Sequence, residues 1–233
     1  MSRISIVLAL AALFALAARD DDENNSESRT VTTLAPPEAA PEPEDSVTTA
    51  VPATPPDQLA SEFVDAYSTF DADRALAYLT DGALATGEGN AGSWGSADAF
   101  RMETALAEAQ GVKQLDTDCA TQGESSDGTS VRCAFSLHAY GSDAIGHGPY
   151  GDNYWDIVVR DGKITSAVAT WAYLTNGVSN EMWTPLQAWV TRTHPEDLQT
   201  MYPVGDLPIT EEMIEVWDAR TREYAAAVNA GTA

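Results

Sequence analysis

The alternation of apolar and polar positions changes period along the chain, and the changes divide it into segments. From Gln58, Leu59, Phe63, Ala66, Tyr67 and Phe70 recur at helical spacing, which predicts an amphipathic helix over 58–69. Asp71-Ala72-Asp73 reads as the start of a second short helix running to Leu79. The glycine-rich stretch from Gly82 to Gly95 reads as a short irregular hairpin. Ser96 is placed to cap a third helix over 97–110 that ends at Gly111.

After Gly111 the period becomes two. Val131, Cys133, Phe135, Leu137 and Ala139 share one strand face, and Arg132, Ser136, His138 and Tyr140 share the other. The preceding strand, 112–122, carries Leu115, Thr117 and Cys119 on one face, and Glu124 to Gly128 forms the turn. Centring that hairpin on Ser126 pairs Cys119 with Cys133, Thr117 with Phe135 and Leu115 with Leu137. The sulfurs then stand opposite each other, so a disulfide is expected. Asp161-Gly162 between β-type runs marks a type I′ hairpin. Its register pairs Val159 with Ile164, Ile157 with Ser166 and Trp155 with Val168, with Tyr154 opposite Ala169 and Asp156 opposite Ala167. Helical spacing returns over 183–192, after Pro195, and over 210–229, where Met213, Ile214, Trp217, Thr221, Tyr224 and Val228 form a stripe.

The first residues have another character. Met1-Ser2-Arg3 carries one positive charge, and Ile4 to Ala18 is apolar apart from Ser5. The run is short for a membrane span and fits a secretory signal peptide over 1–18, with Ala15-Leu16-Ala17 as the small-x-small cleavage site. The same run is similar to a bacterial lipoprotein signal, but Arg19 stands where the lipid-bearing Cys would be. Lipid anchoring is therefore not expected, and the mature protein is read as secreted or extracytoplasmic, in the cell envelope. Residues 19–57 combine two Arg with ten acids and many prolines and contain no aromatic residue. Such a composition reads as a disordered acidic tether. The folded part is read as a domain over 58–176 with a helical extension over 177–233.

Charge narrows the partners. The chain carries 12 Lys and Arg against 36 Asp and Glu, a formal net charge of −24. Such a surface repels nucleic acid and anionic headgroups. No P-loop, dinucleotide fingerprint or Gly-x-Ser-x-Gly motif occurs, and His138, His147 and His194 are too far apart for a recognised metal spacing. Neither cofactor nor metal is expected. Trp183, Trp189 and Trp217 lie on amphipathic helices and read as core.

The segments FVDAYSTFDADRALAYLTDGA and YWDIVVRDGKITSAVATWAY, within 58–174, resemble the paired opening helices and the last hairpin of the nuclear transport factor 2-like superfamily, which includes SnoaL-like cyclases and ketosteroid isomerases. The resemblance implies an α+β cone: three N-terminal helices on a strongly curved antiparallel sheet, here with a C-terminal helical extension over the cone's mouth or the outer sheet face. It also implies a pocket between helices and sheet. Catalysis of that type needs an acid or His in an apolar pocket with a phenol nearby. Asp156, His138 and Tyr154 are the residues for that role, with Tyr140, Trp171 and Tyr150 as pocket walls. The glycine-rich loop 146–153 could serve a site or only connect strands. The leading expectation is a non-catalytic domain that binds a small apolar molecule or a protein partner. The alternatives are a SnoaL-like isomerase, cyclase or hydrolase, and a structural envelope protein that forms a homodimer through its sheet face.

Overall fold

The computed structural model describes residues 54–90, 92–203 and 208–233. The expected signal peptide, 1–18, and residues 19–53 of the expected tether lie outside the described residues. Helix α1 (Pro56–Ser68) starts at the Pro55-Pro56 pair and buries Leu59, Ala60, Phe63, Val64, Ala66 and Tyr67. Helix α2 (Ala72–Leu76) is capped by Asp71, which accepts from Arg74 N at 3.1 Å. Helix α4 (Ala97–Ala109) is capped by Ser96, accepting from Ala99 N at 3.2 Å. Gly111 follows α4 at φ +65°, the left-handed conformation that glycine adopts at no steric cost.

The segment read as an irregular hairpin opens with a helix, and a short hairpin follows it. Helix α3 (Asp81–Thr86) forms because the Thr80 hydroxyl accepts from Ala83 N and caps it. The glycines pointed to a turn, but the cap outweighs one glycine in a first turn. In that hairpin Glu88 bridges Ser93, Trp94 N donates to Gly87 O and Gly89 N donates to Gly92 O, both at 3.0 Å.

Strands β1 (Lys113–Ser125), β2 (Gly128–His138), β3 (Tyr150–Arg160) and β4 (Lys163–Thr170) form one antiparallel sheet in the order β1-β2-β3-β4. The free edge of β4 is shielded by the helix layer. Thr80 N and Ile164 N exchange bonds with Ile164 O and Tyr78 O, and Glu88 does the same with Ala167 and Ala169.

Cys119 lies opposite Cys133 as expected, and the sulfurs are bonded at 2.04 Å. The rest of that register differs. Asp116 takes φ +54°, and the bulge puts Leu115 opposite Ser136 and Gln114 opposite Leu137. Leu115 is thereby turned outward and exposed. The second hairpin keeps Val159 opposite Ile164, and its turn residues Asp161 and Gly162 both have positive φ, as type I′ requires. Beyond Val158 a bulge at Thr165 slips the pairing by one, so Ala167 faces Ile157 and Ala169 faces Trp155. A third irregularity, at Gly151-Asp152, is stitched by buried Asn153, whose amide donates to Tyr150 O and Gly151 O at 2.9 Å each. Several bulges in four strands bend the sheet around the helices.

The hollow of that bend is filled. Trp155, fully buried, meets Phe63 at 5.6 Å and Tyr67 at 4.9 Å between ring centroids, both edge-on. Trp94 packs edge-on against Phe100 at 4.7 Å. The C-terminal helices fall where their spacing placed them along the chain. After a π-helical turn (Ser179–Trp183) come α5 (Thr184–Thr193), α6 (Leu198–Met201) and α7 (Glu211–Asn229), the last capped by Thr210. Helix α7 packs on α4, α5, α6 and the turn at Asp143–Ile145, not on the outer sheet face. Tyr140, Trp183 and Trp217 join in one aromatic cluster, so 177–233 share their core with the sheet within one compact unit.

Candidate functional site

Alternation along β3 sends Trp155, Ile157 and Val159 into the core and Tyr154 and Asp156 to the other face. Asp156 is exposed. Arg132 on β2 grips it with two hydrogen bonds, Nε to Oδ1 at 2.8 Å and Nη2 to Oδ2 at 2.9 Å. The same guanidinium lies 4.0 Å from the centroid of the Tyr154 ring. The apolar enclosure envisaged for Asp156 is on the opposite side of the sheet, around Trp155. His138, the last residue of β2, is half-buried, and its Nδ1 lies 3.0 Å from Ser142 Oγ. Ser142 also accepts from Ala139 N. Arg132 and Asp156 are cross-strand partners, whereas His138 pairs with Lys113 at the far end of β2. The structure does not bring Asp156, His138 and Tyr154 together.

Of the proposed wall residues, Tyr140 and Trp171 are joined through Tyr173, whose ring lies 6.2 and 5.7 Å from theirs. Tyr140 is buried in the C-terminal aromatic cluster. Tyr150 is buried with its hydroxyl donating to Glu181 at 3.1 Å, and His147 of the glycine-rich loop approaches the same carboxylate at 3.4 Å. Trp171 donates from Nε1 to Gly89 O at 2.9 Å and lies 6.3 Å from the Trp155 ring.

One polar cluster does occupy the interior. Glu103 is 3% exposed and the only buried Asp or Glu among the described residues. The Tyr67 hydroxyl lies within hydrogen-bonding distance of both its carboxylate oxygens, at 2.7 and 2.8 Å, and Asn90 N donates to Oε1 at 2.5 Å. The Asn90 side chain extends the network, donating to Gln110 Oε1 at 2.8 Å and accepting from the Tyr173 hydroxyl. Burial, and then the negative charge of Glu103, hold the Tyr67 phenol well above its ordinary pKa. Burial raises Tyr173 as well, with neighbouring Tyr140 adding to the effect. The signal for Glu103 was present in the pattern: it lies three residues after Phe100 and three before Leu106, inside the apolar stripe of α4.

Chemically, a buried carboxylate beside phenols is the composition of a proton-transfer site. Here its oxygens are engaged by α1 and by the 87–95 segment, and the network ties those elements to α4 and to Tyr173. A second group, His194, Glu196 and Asp197, brings ligand-type atoms within 4.8 Å. Arg220 already neutralises Asp197 at 2.6 Å, and His194 faces Glu223 at 3.0 Å, so this cluster is an ion-pair joint between α7 and the α5–α6 connection.

No protein-family model matches the chain, and no curated protein matches it. Among solved structures, the chain is similar to a nuclear transport factor 2-like protein of unknown function from Cytophaga hutchinsonii. That match has 15% identity and a TM-score of 0.37, over 55% of this chain and 96% of the other. A proposed polyketide cyclase from Pseudomonas putida matches at 16% identity and a TM-score of 0.38, over 53% and 95%. A protein of unknown function from Mycobacterium tuberculosis matches at 15% identity and 0.37, over 72% and 85%. At these identities and scores the likeness extends to neither activity nor ligand. The described residues themselves define the class: an α+β domain of helices on a curved antiparallel sheet, closed by a C-terminal helix.

Proposed function

We propose that this is a non-catalytic binding domain of the extracytoplasmic space, acting through its surface on a protein partner or a small molecule. One observation carries the reading. The single buried carboxylate among the described residues, Glu103, is engaged by Tyr67 and Asn90 and serves to join α1, α4 and the 87–95 segment. The acid chosen from sequence, Asp156, lies at the surface against Arg132. Neither is an acid facing an apolar space that awaits a substrate. The disulfide supports an oxidising compartment, and no helix among the described residues is long and apolar enough to cross a membrane.

The test is proton exchange. Simple ketones and enolisable esters are incubated with the full chain in D2O, beside Glu103→Gln, and exchange at the α-carbon is followed by NMR. The expected result is no protein-dependent exchange from either chain. Glu103→Gln should also lower stability by about 1–3 kcal/mol, because a charge-assisted bond is lost inside the core. Exchange accelerated by the wild-type chain and abolished in a folded Glu103→Gln would overturn the reading in favour of an enzyme.

A further inference from the structure

Helices α4 and α7 lie side by side, and between them runs a cleft of about 540 Å³. This is within the size range of specific binding sites. Its floor is made of small and apolar groups: Ala105 and Ala109 from α4, Ile214 and Ala225 from α7. Gly141 closes one side, and a Cβ there would lie 3.3 Å from the Ala225 Cβ, so glycine lets the turn approach α7 closely. Thr221 belongs to the same lining. It is 5% exposed, and its buried hydroxyl has no hydrogen-bond partner among the described residues. An unmade bond of that kind is costly in a closed core.

The rim is charged, and the charges are unbalanced. Lys113 is held by Asp143, whose carboxyl burial would raise but which the Lys113 bond and charge hold below the usual range. Arg222 is held by Asp218 at 2.6 Å. Glu108 on α4 and Glu215 on α7 have no ion-pair partner among the described residues and face solvent on the two sides of the cleft. The cations at the rim are thus already matched, and two carboxylates remain over an apolar floor.

We infer that this cleft receives a basic amphipathic helix from a protein partner. Its apolar stripe would lie on Ala105, Ala109 and Ile214, with Lys or Arg side chains reaching Glu108 and Glu215. An apolar groove flanked by acids is the complement of such a helix. The lining residues of α7 run from Ile214 to Ala225, about 17 Å of helix, enough for three turns of a partner. A second copy of this chain is a poor occupant, since 12 basic residues among 233 include no basic helix and two copies at −24 repel. Anionic membranes are disfavoured for the same reason. The inference rests on the binding-domain reading and names its site and partner class.

The experiment uses the full chain and a dye-labelled Leu/Lys peptide of about 14 residues with amphipathic helical spacing, beside a Leu/Glu peptide of the same pattern. Anisotropy is recorded at about 50 and 300 mM salt. The Leu/Lys peptide should bind saturably and the Leu/Glu peptide not at all, with affinity falling as salt rises. Glu108→Lys with Glu215→Lys should weaken binding at least about tenfold. Asp118→Lys with Glu124→Lys, exposed acids of β1 away from the cleft, changes net charge equally and should leave affinity within about twofold. Ala105→Trp fills the groove without changing charge and should weaken binding as the first pair does. Absence of saturable binding, equal loss in the two charge-reversed pairs, or unchanged binding in Ala105→Trp each overturns the inference. Such a failure leaves the non-catalytic reading standing, since that reading falls only if Glu103-dependent exchange is found.

Discussion

Trp155 and Asp156 are neighbours on one strand and belong to two different environments. On the inner face Trp155 is enclosed by Phe63, Tyr67 and Trp94, and Glu103 sits nearby in a network closed off from water. On the outer face Asp156 forms an ion pair, two parallel bonds from Arg132 with a tyrosine beneath, yet half of its side-chain surface is in solvent. Both faces contain an acid, a tyrosine and good geometry. What separates them is water: a buried acid without partners is costly, while an exposed pair replaces hydration it could regain. A well-formed polar cluster is therefore a poor guide to importance until its burial is known.

The comparison can be broken most directly at its inner member. Trp155→Ala should destabilise the domain by about 3–5 kcal/mol, through lost transfer free energy and the cavity left behind. Urea unfolding followed by circular dichroism measures this, and a loss below about 1 kcal/mol would mean the inner face is loosely packed. Next in size is the bridge from the edge strand to that face. Replacing Cys119 and Cys133 by Ser opens a loop of 14 residues, which the chain-entropy account values at about 3 kcal/mol. Unfolding with and without reductant should show that difference in the wild type and none in the double variant.

Alkaline pH sharpens the contrast without mutation. The Tyr67 phenol is raised by burial and by Glu103, so its folded pKa exceeds its unfolded value of about 10. Above that pH the unfolded chain gives up a proton that the folded chain retains. Stability is thus fully present below about pH 10 and declines as pH rises towards the folded value, by about 1.4 kcal/mol for each unit by which the pKa is raised. Tyr67→Phe should lessen this decline when thermal unfolding is followed from about pH 8 to about pH 11, the remainder belonging to other buried tyrosines such as Tyr140 and Tyr173. Smallest is the outer pair: Asp156→Asn should move Tm by no more than about 2 °C. A shift several times larger would place the outer face under cover, as in a homodimer formed through it.

Much of the architecture was legible in the chain because its signals are local. Ser96, Asp71 and Thr210 cap helices within three residues of themselves. Asp161-Gly162 sets its own turn, and the alternation about Cys133 aligned the two sulfurs. The candidate chemistry was less legible. A period of two tells which side chains share a face, and placing Asp156 inside required setting Trp155 and Ile157 outside, against their hydrophobicity. Glu103 could be seen as an anomaly in the stripe of α4, but its partners come from Tyr67, 36 residues earlier, and from the 87–95 segment.

By itself, then, the sequence determined the helices other than α3, the two hairpins, the pairing of the cysteines and the acidic composition. Each of these follows from neighbours along the chain, from one hairpin or from composition. The bulges at Asp116 and Thr165, the burial of Glu103 and the placement of α7 on α4 were decided only in three dimensions. An unfavourable backbone angle or a buried charge is tolerated when packing and hydrogen bonds from distant segments compensate it, and those segments become neighbours only when the chain has folded.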